Sequence, residues 1–266
     1  GFPDLYLVNM QGDDHYYENV AGKRFVEKTA EYFPKTPWGA MGIKFFDSNN
    51  DGWIDLFVTD MHSDMSAPQT AQGFKFQLSL EKGKSEQFCS IQWDESFLQG
   101  SSNNIFGNAF YENKGGGKFV ERSDALGVET YWPWGPSVGD LNADGFEDIF
   151  IAAGMGYPFR YGVNSVLLNE AGQRFFDSEF LVGIEPRPNG RIEKSYFTLL
   201  CDGADKDHPL CQGRSGPVPV DGVLSSRSAA LFDLDDDGDL DLVTSEFNDH
   251  AQVLISNLAE KKKIHF

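Results

Sequence analysis

One nine-residue pattern, written three times, constrains this chain more than any other feature. Asp47 to Val58 (DSNNDGWIDLFV), Asp140 to Ile151 (DLNADGFEDIFI) and Asp233 to Thr244 (DLDDDGDLDLVT) superimpose without gaps. Each reads D-x-[DN]-x-D-G-x-x-D and runs on into an apolar, β-rich stretch. The opening GFPDLYLV fits the same pattern from its glycine, with Gly1 matching Gly52 and Asp4 matching Asp55. The chain is therefore expected to start inside a repeat and to be a fragment. Self-similarity of this kind signals an array of one supersecondary unit.

The second half of each unit repeats too. Residues 13–26 (DDHYYENVAGKRFV), 106–120 (FGNAFYENKGGGKFV) and 163–176 (VNSVLLNEAGQRFF) share one plan. A strand ends in Asn, a Gly turn follows, and a second strand opens with Phe, which is the signature of a β-hairpin. Trp38-Gly39 and Trp134-Gly135 come next, ahead of the following acidic loop. This order predicts about four strands per unit, the blade of a β-propeller. The 23 Phe and 28 Gly among 266 residues suit short strands and tight turns better than helices.

The expected architecture is all-β, with residues 1–266 forming one partial propeller domain. The repeat glycines at 1, 52, 145 and 238 lie 51, 93 and 93 residues apart. The first interval suits one blade. Each longer interval reads either as one blade with an insertion, at 65–102 and at 185–224, or as holding a degenerate extra blade. Either way the ring is expected to be incomplete.

Alternating acids at loop positions 1, 3 and 5 aim oxygens inward from a tight turn, and Gly at position 6 permits positive φ. Calcium takes six to eight hard oxygen ligands, from carboxylates, Asn side chains and backbone carbonyls. The candidate side-chain ligands are Asp47, Asn49, Asp51 and Asp55; Asp140, Asn142, Asp144 and Asp148; and Asp233, Asp235, Asp237 and Asp241. Trp53, Phe146 and Asp239 occupy position 7, where a backbone carbonyl would serve. About three calcium sites are expected, with a truncated fourth at Asp4. An EF-hand is excluded, because position 12 is Val58, Ile151 or Thr244 and the run before it is strand-forming. The competing reading is an Asx-rich turn without metal. Three loops with identical offsets argue against it, because unneutralised carboxylates so close together repel. The third loop carries four carboxylates where the others carry three, so it is expected to bind calcium tightest.

Charge and cysteine usage bear on setting. Acidic residues outnumber basic ones 41 to 22, giving a formal charge of −19 that repels nucleic-acid phosphates. No stretch reaches the roughly 20 apolar residues of a membrane helix. Cys201 and Cys211 sit in a turn-rich stretch, CDGADKDHPLC, and read as a disulfide-closed loop or as two buried thiols. Cys89 is left over, either buried or paired outside the chain. Calcium loops and a disulfide together predict an extracellular, periplasmic or cell-surface protein.

The pattern D-x-[DN]-x-D-G-x-x-D-[LI] with its flanking strands is similar to the FG-GAP/VCBS repeats of integrin α-chain propellers and bacterial surface proteins. The Asn-x-x-Gly hairpins and WG segments resemble more specifically the cartilage acidic protein (ASPIC/UnbV) group. That resemblance covers nearly the whole chain apart from the two insertions. It implies a propeller with calcium in hairpin loops at the blade edge. It says little about activity, since propellers host adhesion modules and enzymes alike.

Two polar strand exits are candidates for chemistry: Asp60-Met61-His62-Ser63-Asp64 and Glu246-Phe247-Asn248-Asp249-His250. Each reads as a solvated loop or as half of a shared ligand site. Tyr131, Trp132 and Trp134 read as sugar-stacking residues or as filling between blades. The favoured function is a non-enzymatic module for a protein or glycan partner. The alternative is a carbohydrate-active enzyme, a polysaccharide lyase or dehydratase, using the His62 and His250 exits. No cofactor-binding fingerprint or catalytic nucleophile with its base is present.

Overall fold

The computed structural model describes residues 1–61, 63, 104–105, 107–154, 163–247, 249–258 and 260. His62, Cys89 and the insertion expected at 65–102 lie outside the described residues.

The chain opens with β1 (Leu5–Leu7), β2 (His15–Val20) and β3 (Arg24–Glu27), an antiparallel meander followed by the short helix α1 (Thr29–Tyr32). Strand β4 (Thr36–Pro37) precedes β5 (Ala40–Phe46) and β6 (Asp55–Asp60). Then come β7 (Asn104–Ile105), β8 (Ala109–Asn113) and β9 (Phe119–Glu121), with helix α2 at Ser123–Leu126. The order β5-β6-β8-β9 makes a four-stranded sheet, while β4 and β7 form a separate parallel pair. A second four-stranded sheet runs β10 (Pro133–Gly139), β11 (Asp148–Ala153), β12 (Ser165–Asn169), β13 (Phe175–Asp177), ending in helix α3 (Glu179–Val182). A hairpin of β14 (Glu193–Leu200) and β15 (Pro217–Val223) stands apart, and β16 (Ser225–Phe232), β17 (Asp241–Phe247) and β18 (Gln252–Leu254) form the last meander.

These meanders stack face to face in chain order, and the alternation of side chains along each strand shows how. On β6, Leu56 and Val58 join a buried cluster with Phe33, Ala109 and Tyr111, against which Tyr6 and Tyr16 of the first sheet pack. Phe57, between them, points the other way into a cluster with Phe110, Phe175 and Ile149. Strand β11 repeats the arrangement, with Ile149 and Ile151 on that inner cluster and Phe150 and Ala152 against Leu242 of the last sheet. A strand buried on both faces reads as a continuous apolar run, which is why LFV and IFI follow the acidic loops. Each such side chain contributes roughly 1.5–3 kcal/mol by leaving water.

The leading strands β5, β10 and β16 lie side by side. Glycine lets them approach: a Cβ on Gly42 would sit 2.5 Å from Pro136 Cδ and 2.8 Å from the Trp134 carbonyl. Ser137 then donates to the Ala229 carbonyl at 2.7 Å across the next junction. The two Trp-Gly pairs, alike in sequence, are not structurally equivalent. Met61 donates to the Gly39 carbonyl where Gly154 donates to that of Trp132, so Trp38-Gly39 matches Tyr131-Trp132. Trp132 is buried, and Trp134 packs on the core between the third and fourth meanders while donating to the Gly154 carbonyl at 2.6 Å.

The hairpin of β14 and β15 is closed at its tip by a Cys201–Cys211 disulfide, as the spacing suggested, with the Cα atoms 5.2 Å apart. Both sulfurs belong to a small apolar cluster with Leu199 and Val220. In the chain-entropy account a loop of this length contributes about 3 kcal/mol.

Candidate metal-binding loops

Strand register fixes the three acidic loops identically. Phe46 pairs with Asp55, Gly139 with Asp148 and Phe232 with Asp241, so each loop spans eight residues between equivalent rungs. The backbone of each turns through left-handed φ twice. Position 4 holds Asn50, Ala143 or Asp236 at φ 57, 54 and 62, and position 6 holds Gly52, Gly145 or Gly238 at φ 85, 93 and 94. Only glycine takes the second of these without strain, which explains its place in the pattern.

Side-chain oxygens stabilise the same turn each time. The position-1 carboxylate accepts N–H groups from positions 5 and 6: Asp47 at 3.1 and 2.8 Å, Asp140 at 3.0 and 2.8 Å, Asp233 at 3.1 and 3.0 Å. The position-5 carboxylates of Asp51, Asp144 and Asp237 accept the N–H of Trp53, Phe146 and Asp239 at 2.9, 2.9 and 3.1 Å. At position 3, Asn49 and Asn142 donate to Asp51 and Asp144 at 3.1 and 2.9 Å. Asp235 has no amide to donate. Desolvation and the charges of Asp237, Asp241 and Asp233 push its carboxyl above the usual range.

Position 9 has a role beyond the ligand count read from the sequence. Asp55, Asp148 and Asp241 are fully buried beneath their loops. One oxygen of each accepts the N–H of position 2, from Ser48, Leu141 and Leu234. The other accepts from the end of the next strand or just beyond it, from Asn113, Asn169 and Ser256, each at 2.8 Å. Asp4 accepts the N–H of Asn19 at 2.7 Å in the same way, as its alignment with Asp55 predicts. Burial pushes the Asp148 carboxyl up to about 6 and raises that of Asp55. A carboxylate has about four lone-pair sites, so these bonds do not exhaust it.

The first two loops touch. Asn50 donates to the Gly145 carbonyl at 2.9 Å, and Asn169 reaches the Ser48 carbonyl at 2.7 Å. Glu147 sits between them, its carboxyl raised by burial and by the charges of Asp47 and Asp140. In the third loop Asp233, Asp235 and Asp237 are exposed, and one carboxylate oxygen from each lies within 4.8 Å of the other two. That all-oxygen set suits a hard cation.

The family model described as an FG-GAP-like repeat matches residues 1–58 and 93–151. These segments are FG-GAP-like. The two matched stretches contain the loops at Asp47 and Asp140, and the loop at Asp233 repeats their register and backbone outside the match. No curated protein matches the chain. Among the described residues, no helix is long and apolar enough to cross a membrane, which leaves β-barrels untouched.

The two strand exits are not alike. Asp60 is buried, accepting the Gly39 N–H at 2.8 Å and donating its own to Asn108 at 2.9 Å. With His62 outside the described residues, its convergence with His250 has no geometry here. At the other exit Glu246 is fully buried in an ion pair with Arg187, which precedes β14, and Ser226 and Thr244 also donate to it. Asp249 bridges Arg191 at 2.6 Å and Lys194 at 3.0 Å. Sequence reading missed these basic partners, which carry no motif and lie 55 to 59 residues from the acids they meet.

Proposed function

We propose that this chain is a calcium-stabilised β-propeller segment of the cartilage acidic protein (ASPIC/UnbV) type, working outside the cytoplasm as a protein- or glycan-binding module. The observation that carries it is the triplicate acidic loop, with register, backbone and hydrogen bonds repeated. In this reading positions 1, 3, 5 and 9, with the position-7 carbonyl, hold calcium, and the position-9 aspartates also anchor each loop to its sheet. Neutralising the clustered carboxylates stabilises the hairpin that each loop closes. At extracellular calcium and affinities near 10⁻⁴ M, each site adds about 1–1.5 kcal/mol. Cytosolic calcium would leave such sites mostly empty, and the Cys201–Cys211 disulfide favours the same oxidising setting.

The test is thermal unfolding in millimolar calcium and in excess chelator, with bound calcium counted in parallel. A large upward shift in Tm with about three ions per chain supports the reading. An unchanged Tm with no bound ion reduces the loops to ordinary turns.

A further inference from the structure

At the end of β17 remote from its acidic loop, the segment before β14 and the last meander line a half-open cavity of about 330 Å³. Arg191, Asn189, His250 and Gln252 supply polar groups to its wall, and Leu224 and Val253 supply apolar surface. Charge here runs against that of the whole chain. Arg187, Arg191 and Lys194 face two carboxylates, Glu246 and Asp249, a local excess of one positive charge on a molecule of −19.

The site is built rather than incidental. The buried Arg187–Glu246 pair fixes the segment before β14 to β17, and Arg187 also donates to Ser226 at 3.0 Å. Asp249 takes one N–H of the half-exposed Arg191 and orients its guanidinium. A guanidinium has five N–H donors in a planar fork, so a carboxylate-binding edge remains. Among the described residues, the side chains of Asn189, His250 and Gln252 make no hydrogen bond to the protein.

We propose that this cavity binds an acidic sugar, a uronate whose carboxylate pairs with Arg191 and whose hydroxyls bond Asn189, His250 and Gln252. An amide side chain donates and accepts at once, and so matches a hydroxyl, which does both. Val253, half exposed, offers apolar surface to the C–H face of the ring. The volume suits one or two sugar rings. This names the glycan arm of the interaction-module reading and rests on it, but it shares no residue with the acidic loops, so the two fail separately.

The experiment is calorimetric titration of the 266-residue chain, in 1 mM calcium and again in chelator, with three probes. These are methyl glucuronide, methyl glucoside and N-acetyl-aspartate. The glucuronide should bind at least roughly tenfold tighter than either other probe, since a charge-assisted pair and the hydroxyl contacts act together. Arg191→Gln should abolish that preference. Gln252→Ala, which leaves the Asp249 bridge intact, should weaken the glucuronide severalfold with an unchanged circular dichroism spectrum. No glucuronide binding in calcium, or equal binding of all three probes, overturns the proposal. So does N-acetyl-aspartate binding as tightly as the sugar, which would mark a bare carboxylate site. A calcium-independent Tm with glucuronide preference intact would sink only the calcium reading.

Discussion

Asn169 donates its backbone N–H to Asp148 at 2.8 Å, and this pair recurs as Asn113 with Asp55 and Asn19 with Asp4. The Asn side chain completes the lock. Its amide donates to the position-8 carbonyl, at 2.9 Å for Asn19, 3.0 Å for Asn113 and 3.0 Å for Asn169, while its oxygen accepts a turn N–H. Asn169 alone of the three also reaches the neighbouring unit, through the Ser48 carbonyl, and is buried. Asn169→Ala should therefore cost about 2–4 kcal/mol, because it strands buried backbone groups. Asn19→Ala, at a more exposed copy, should cost about 1 kcal/mol or less. Urea denaturation of both variants checks this; equal losses would show that the inter-unit bond contributes nothing.

Gly172 and Gly145 separate backbone strain from crowding. Both have positive φ, 71 and 93, so any side chain is strained by roughly 1–2 kcal/mol. At Gly145 a Cβ would meet nothing within 4 Å, whereas at Gly172 it would lie 2.3 Å from Asn49 Cβ and 2.7 Å from its Cα. Gly172→Ala should lose about 3 kcal/mol or more, adding overpacking to the strain, and Gly145→Ala only about half that. The same denaturation measurement decides it.

The loops were legible because their chemistry is local: Asp spacing and an obligate glycine describe a turn whose backbone needs no distant partner. The strands were legible because both faces of β6 and β11 are buried, leaving an unbroken apolar run after each loop. What depends on contacts far apart in sequence left no trace. Arg187 meets Glu246 across 59 residues, and nothing around Arg187 marks it as a buried ion-pair partner. The Trp-Gly pairs misled because the same dipeptide stands at different distances from its acidic loop, Trp38 nine residues before Asp47 and Trp134 six before Asp140. The first precedes the register shift of its strand pair and the second lies within it. The Asn closing each hairpin was read as a turn marker, and only the structure shows that it grips the acidic loop.

The third loop offers a direct test of charge against affinity. Asp235 stands where Asn49 and Asn142 stand in the other loops, and its carboxyl is raised by desolvation and by three neighbouring aspartates. Asp235→Asn should bring this loop to the donor set of the other two and weaken its calcium binding by about tenfold. In the absence of calcium the same change should leave stability unchanged or slightly increased, since it removes repulsion. Calcium titration of the variant beside the parent gives the answer, and an unaltered affinity would remove ligand charge as the distinguishing factor.

Away from the loops, Asp14 sets a pH dependence of its own. It is fully buried, accepts the Asn9 N–H at 2.7 Å and the Tyr6 hydroxyl at 3.1 Å, and burial pushes its carboxyl up to about 7. Those two bonds, which favour the ionised form, do not offset the cost of desolvating the charge. The folded chain therefore holds a proton that the unfolded chain releases near pH 4. By linkage, this group's contribution is intact below about pH 4 and is lost as pH rises to about 7. Asp14→Asn keeps the shape and removes the titration. The variant should match the parent near pH 4 and exceed it at pH 8 by about 1–3 kcal/mol. Denaturant midpoints at the two pH values, with calcium saturating in both, isolate the effect. A constant difference between parent and variant across that range would mean that Asp14 stays ionised in the fold and is stabilised by Tyr6 and Asn9 after all.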